Sequence, residues 1–300
     1  MKVKIKEEGT LEEAVLRMLD SSTKSNVRKL IKNHRVTVDG EAVIRPAHEI
    51  RAGQTVEIVK AGRERPARTG PLNRRRRLPF PVLFEDEFLI VVDKPAGMLS
   101  IATERERSRT LYRMVSDYVK AATEGAKKIF IVHRLDRDVS GVMVLAKDEK
   151  TKRALQGGWA SAEKTYRAVL DGRPKEKEGK VEGWLCENRA NQVYVCDKKT
   201  HGAEKAVTSY RLVRASGARS LVEIKIETGR KHQIRVHMAS LGCPVAGDRL
   251  YGTPVRGMSG IGLHAVTLAF DHPHTGRRIS LKSPLPQRLK DLLQGQRKNT

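Results

Sequence analysis

Aromatic residues make up only 4% of the 300-residue chain, and cysteine occurs three times, at Cys186, Cys196 and Cys243. An odd number of cysteines without the short paired spacing of a metal site argues against a disulfide framework and against a zinc module. They read as buried thiols in a reducing compartment, which places the protein in the cytoplasm. The nine histidines do not cluster as ligands either, and His232 and His237 are too far apart in register to share one helical face. No metal is expected. Long apolar runs are also missing. The longest, Leu89 to Val92 and Val142 to Ala146, fall far short of the roughly 20 residues of a membrane span. Residues 1 to 10 have lysines but no apolar stretch, and Glu7 and Glu8 speak against a signal or transit peptide. Acidic residues are the other deficit. Thirty-five Asp and Glu face 59 Lys and Arg, giving a net charge of +24. Such a surface seeks a polyanion, and without a membrane device that partner is a nucleic acid.

Residues 1 to 60 hold a small module. Leu11, Ala14, Val15, Met18 and Leu19 recur at helical spacing, and Val27, Leu30 and Ile31 repeat the pattern after Ser21-Ser22-Thr23, so two short amphipathic helices are expected. The period then changes to two. RVTVDGEAV sets Asp39-Gly40, a hairpin turn, between alternating residues, and Gly53 leads into a strand over 55 to 59. Lys24, Arg28, Lys29, Lys32 and Arg35 surround the second helix. Helix, helix, hairpin and a basic face resemble the αL RNA-binding module of a small-subunit ribosomal protein, which implies that Arg28, Lys29 and Lys32 contact RNA. The alternative is a helix pair with a solvated charged face. Residues 61 to 80 lack an apolar period, and their seven Arg against one Glu leave +6, the signature of a flexible linker that grips phosphates.

The main domain is read from residue 81 onward. Strands are expected at 82 to 84, 88 to 93, 129 to 132, 142 to 146, 166 to 170, 181 to 186, 193 to 196, 206 to 213, 220 to 227, 263 to 270 and 278 to 282. Helical spacing marks 111 to 119, 148 to 159, 230 to 241 and 287 to 293, with Gly242 closing the third of these. The pattern is α+β: a large, mixed, mostly antiparallel sheet with a few flanking helices.

One window stands out from that pattern. HRLDRDVSG (133 to 141) packs Arg134, Asp136, Arg137 and Asp138 into a loop between two apolar strands, where a scaffold holds side chains rigidly. Alone, such charges often do no more than pair in solvent. The loop has company, however: DKPAG (93 to 97), EKTYRAVL (163 to 170), ETGRKHQIRVHMASLG (227 to 242), GDRLYG (247 to 252), LHA (263 to 265) and FDHPHTG (270 to 276). In this order they resemble the RluA type of RNA pseudouridine synthase over nearly all of residues 81 to 285. One position departs from that pattern. Val139 stands where the family commonly has threonine and cannot supply a hydroxyl, although an apolar body there can suffice.

The resemblance implies site-specific isomerisation of uridine in structured RNA. The C1'–N1 bond breaks and a C1'–C5 bond forms with no net redox change, so no cofactor is required. A carboxylate must act as nucleophile or base, and the base must be exposed. Asp136 takes the catalytic role by resemblance, with Asp138 its competitor on spacing alone. Arg235 is implied to pair with Asp136 and keep it ionised. Tyr166 is implied to stack on the uracil and handle the C5 proton, although a phenol is a weak base at neutral pH. Arg134 is implied to enter the helical stack as the nucleotide flips, and Lys94 of DKPAG is taken to line the site and bind RNA. Large-subunit ribosomal RNA is the first substrate candidate and transfer RNA the second, acted on by a monomer with no membrane association. Two other readings stand beside the enzyme. One is a non-catalytic RNA-binding or ribosome-assembly protein. The other is a glycosidase, which would need a second carboxylate to activate water.

Overall fold

The protein is described by a computed structural model covering residues 1–20, 22–32, 35–43, 45–58, 77–104 and 106–295; the side chains of Lys29, Lys32 and Ala42 are outside the described set. Most of the expected linker, residues 61 to 76, is outside it as well. No described helix is long and apolar enough to cross a membrane. The chain divides into two compact units, Met1–Asn73 and Arg74–Thr300.

In the first unit, β1 (Lys2–Lys4), β2 (Gly9–Thr10), α1 (Leu11–Met18), α2 (Lys24–Lys32), β3 (Val36–Val38), β4 (Glu41–Ala42), β5 (Glu49–Ile50) and β6 (Thr55–Ile58) follow in order. Thr10 caps α1, and a reciprocal bond from its backbone to Glu13 completes a capping box, which fixes where the helix starts. Leu11, Ala14 and Val15 then bury against Val27 and Ile31 of α2 and against Val36 and Val56 of the sheet, ordered β1-β6-β3-β4. Asp39 and Gly40, at φ 50° and 87°, both take the left-handed conformation that a two-residue hairpin turn requires. Strand β1 was not expected. Lys2, Val3 and Lys4 are all exposed, so they carry no inward period, and the strand exists only as an antiparallel edge on β6.

The second unit comprises β7 (Val82–Glu85), β8 (Leu89–Lys94), α3 (Leu111–Ala122), β9 (Phe130–Ile131), β10 (Ser140–Ala146), α4 (Glu149–Gly157), β11 (Glu163–Asp171), β12 (Glu178–Glu187), β13 (Val193–Cys196), β14 (Glu204–Ser216), β15 (Arg219–Ile226), α5 (Gln233–Ser240), β16 (Leu263–Asp271), β17 (Arg278–Lys282) and α6 (Gln287–Gln294). Among the described residues these strands form one sheet in the order β13-β12-β14-β15-β11-β16-β10-β8-β7, with β17 on β16 and β9 on β10. The expected α+β class, with a mixed and mostly antiparallel sheet, is the one observed.

Strand β10 is buried along its whole length. Its pairing with β16 is parallel, through Ser140–His264 and Gly141–Ala265. Gly141 is required there: at φ 123° a Cβ would lie 2.2 Å from the Ala265 carbonyl oxygen. The core beneath it, with Ile90, Met143, Leu145, Ala168 and Ile224, supports the loop that leads into β10.

Two expectations are corrected. Helix α5 starts at Gln233 rather than at residue 230, because His232 adopts left-handed φ 53° and interrupts the helical path. Gly242, at φ 74°, ends it as expected. Cys186 and Cys196 are not free thiols but a disulfide between β12 and β13, with Cα atoms 6.0 Å apart. The register explains it: Cys186 faces Tyr194 and Cys196 faces Trp184, so the two cysteines are diagonal neighbours on one face of the pair. Only Cys243 is a free, buried thiol.

Candidate active site

The loop between β9 and β10 is fixed through its backbone. Ser100 Oγ donates to the Leu135 carbonyl at 2.5 Å and accepts from the Leu135 amide at 3.2 Å. The Arg137 carbonyl accepts from the Gly97 amide at 2.8 Å, and the Asp138 carbonyl accepts from the Ile261 amide at 3.0 Å. Leu135 and Val139 both sink into the core, on either side of Asp136. Val139, only 3% exposed, therefore anchors the loop with its apolar body at the position where a threonine is usual.

Lys94 was expected to bind RNA, but the structure turns its side chain inward. Its side chain is wholly buried, and Nζ donates to the carbonyls of Pro95 (3.0 Å), Met98 (2.7 Å) and Arg137 (3.2 Å). Burial pulls its pKa down to about 7, against the attraction of Asp136 and Asp138. The side chain ties the DKPAG turn to the loop that carries Asp136.

Asp136 meets Arg235 across the site. Arg235 Nη1 donates to Asp136 Oδ2 at 3.2 Å. The rest of the guanidinium is committed elsewhere: Nε and Nη2 make a bidentate pair with Asp248 at 2.7 and 2.9 Å. Asp248 is completely buried. Burial alone would raise its pKa, but the bonds and charge of Arg235, with the amides of Leu250 and Tyr251, outweigh this and hold it below the ordinary carboxylate value. The Tyr251 ring lies under the Arg235 guanidinium at 5.0 Å.

His232 is a second neighbour. Its Nε2 lies 3.8 Å from Asp136 Oδ2 and its Nδ1 lies 2.9 Å from the Tyr251 hydroxyl. Burial lowers its pKa, so it is neutral near pH 7. Tyr166, on β11 between Ile224 and Ala265, has its pKa raised first by burial and then by the Asp136 carboxylate, which keeps the phenol protonated.

Asp136, Tyr166 and Arg235 thus come together from three distant windows. Arg134 stands exposed on the same loop. Arg28 is in the first unit, exposed on α2, with Nε 3.0 Å from Glu12. The side chains of Lys29 and Lys32 lie outside the described ones. No group of three or more His, Cys, Asp or Glu among the described residues suits a metal ion. Asp248, His232, Tyr251 and Ser100 were not picked out from sequence. The GDRLYG window signalled Asp248 and Tyr251, but a lone Asp in a turn gives no hint that an arginine lies behind it.

A carboxylate that is partly open and pinned on one oxygen by an arginine suits nucleophilic or base chemistry at a sugar or ring. Comparison with known proteins agrees with that chemistry. The family model described as RNA pseudouridylate synthase matches residues 88–240, from the end of the β7–β8 turn through α5. The chain is 31% identical to the ribosomal large subunit pseudouridine synthase D of Zymomonas mobilis subsp. mobilis, over 92% of this chain and 90% of that one. It is 32% identical to the protein of the same name from Xanthomonas campestris pv. campestris, over 93% and 86%. The solved structure of human RNA pseudouridylate synthase domain containing 4 is 25% identical and superposes with a TM-score of 0.57, covering 70% of this chain and 92% of that one. The chain belongs to the RNA pseudouridylate synthases, enzymes that isomerise uridine to pseudouridine within RNA.

Proposed function

We propose that this synthase modifies large-subunit ribosomal RNA, with Asp136 as its catalytic carboxylate. The 3.2 Å contact between Arg235 and Asp136 carries this reading. Arg235 holds the carboxylate by one oxygen and leaves the other turned toward the substrate. Tyr166 packs its ring against the uracil; because burial and Asp136 keep the phenol neutral, it serves as a surface rather than as an anionic base. Arg134 fills the stack as the target nucleotide swings out, which offsets part of the few kcal/mol that flipping costs. The C5 proton is lost as N1 gains one, so the isomerisation is balanced without a cofactor.

Residues 1 to 60 act as an αL-type RNA-binding module through Arg28, Lys29 and Lys32. Residues 61 to 80 serve as a basic linker, and residues 81 to 300 form the catalytic domain. The substrate preference follows two similar proteins that are named for the large ribosomal subunit. The enzyme works as a monomer, and in the cytoplasm because the proposed ribosomal RNA substrate is there; the Cys186–Cys196 disulfide removes the thiol argument for that compartment.

Asp136→Asn tests the catalytic reading. Isomerisation of labelled uridine RNA should disappear while RNA affinity stays near wild type; retained turnover removes Asp136 from its role. Pseudouridine maps of ribosomal and transfer RNA, from cells with and without the protein, decide between the two substrates. For the module, Lys24→Ala with Arg28→Ala should flatten the salt dependence of RNA binding. An unchanged slope makes it a bystander.

A further inference from the structure

The turn that follows α5 has two faces. Asp248 and Tyr251 point inward to Arg235 and His232. The two residues between them, Arg249 and Leu250, point outward, and Leu250 is 47% exposed. The turn is stiff, since Asp248 Oδ1 accepts from the Leu250 amide at 2.9 Å and the Asp248 carbonyl accepts from the Gly252 amide at 3.1 Å.

Each outward residue borders a different cavity. Arg249 lines one of about 230 Å³ together with Arg137, Asp138 and the backbone of Gly97 and Gly247. Arg137 Nε bonds to Asp138 Oδ1 at 3.2 Å, so that acid is already neutralised and the second arginine supplies net positive charge. Leu250 lines the other cavity, about 410 Å³, with Tyr194, Val195, Tyr251, Asn188 and Gln192. Tyr194 is 45% exposed and Val195 51%. An exposed aromatic and two exposed aliphatic side chains form an apolar patch of the kind that marks a contact surface, and Tyr251 at that cavity connects it through His232 to Asp136.

We infer that the outward face of residues 247 to 252 reads the nucleotides flanking the target uridine. One flanking phosphate sits against Arg249 and Arg137, and one unstacked base lies on Leu250, Tyr194 and Val195. RNA is the occupant because the first cavity is lined by Arg137 and Asp138, next to Asp136 in the chain, and the second by Tyr251, which bonds to the Asp136 neighbour His232, so both connect to the site where the family's substrate must arrive. A nucleotide also has the chemistry that the two cavities split between them, an anion and an apolar ring with polar edges. The inner face of the same turn holds the two neighbours of Asp136. The inference rests on the reading that the target uridine reaches Asp136.

The test measures kcat and KM of full-length Arg249→Ala, Leu250→Ala and Tyr194→Ala on total RNA from cells that lack the enzyme, which contains the unmodified target. Each substitution is on an exposed side chain, so the fold is retained. KM should rise about ten-fold in each variant, with the loss falling on KM rather than kcat. Arg249→Ala should also flatten the salt dependence by about one phosphate, while Leu250→Ala leaves the slope unchanged. Unchanged KM in all three variants overturns the inference, as does a loss confined to kcat. Asp136→Asn, assayed alongside, separates the two levels: if it stays active the site itself is misplaced, and if it is inactive while KM stays unmoved only the reading face is wrong.

Discussion

Asp136 and Asp248 share one guanidinium but sit in opposite environments. Asp248 is completely buried and takes two short bonds from Arg235 plus two backbone amides. Asp136 keeps 28% of its side chain exposed and receives one bond of 3.2 Å. A buried carboxylate that already accepts four hydrogen bonds is a fixed counter-charge: it sets where Arg235 points and is closed to a substrate. A half-open carboxylate with one oxygen engaged is held in orientation yet can still react. On the proposed mechanism, the difference separates a residue that positions from one that performs the chemistry.

Removing the shared partner should have the largest effect. Arg235→Leu strands the Asp248 charge in the core and should cost about 3–5 kcal/mol in urea unfolding, with isomerisation lost. A milder cost would mean that Asp248 is less enclosed than its contacts indicate. Lys94→Met removes the donor shared by three carbonyls and should cost about 1–3 kcal/mol. Turnover should fall more than RNA affinity, because the loop that carries Asp136 loosens.

His133, at the entry of the same loop, gives a pH test. Burial first, and then the charge of Lys164, lower its pKa from 6.5 to about 3, and its Nε2 accepts from the Val144 amide at 3.1 Å. In the folded state the imidazole stays neutral down to about pH 3, whereas in the unfolded chain it binds a proton near 6.5. Between these values the unfolded state holds the extra proton, so stability falls as pH drops through that window. His133→Gln keeps an acceptor for Val144 and should reduce the slope of unfolding free energy against pH by about one proton. The smallest effect expected is that of Val139→Thr. Its hydroxyl would be buried in an apolar pocket at a cost of about 1 kcal/mol, with activity unchanged. A gain in stability would show that the position prefers a hydrogen bond.

The same contrast explains what could be read from sequence. The strands of the large sheet were legible because β-branched runs such as Val142 to Ala146 leave little choice, and the hairpin at Asp39-Gly40 because few residue pairs accept its backbone. Asp136, Tyr166 and Arg235 were singled out because their windows match a family pattern in order. Positions set by tertiary contact were not legible. Lysine as a residue type gives no sign that Lys94 is buried under three carbonyls. Cys186 and Cys196 become neighbours only through the register of β12 on β13. Asp248 is an ordinary turn aspartate until Arg235 arrives from α5. His232 was read as part of a helix, and only its left-handed backbone turns its ring toward Asp136.

The division of labour between the two aspartates is tested most directly by the melting temperature of Asp136→Asn beside that of Asp248→Asn, in full-length protein at pH 7. Asp248→Asn removes the buried counter-charge of Arg235 and should melt roughly 6–12 °C lower, as expected for a loss of about 3 kcal/mol in a domain of this size. Asp136→Asn should melt within about 2 °C of wild type while losing isomerisation. An Asp136→Asn protein that melts as early as Asp248→Asn would contradict the division and make Asp136 one more structural carboxylate.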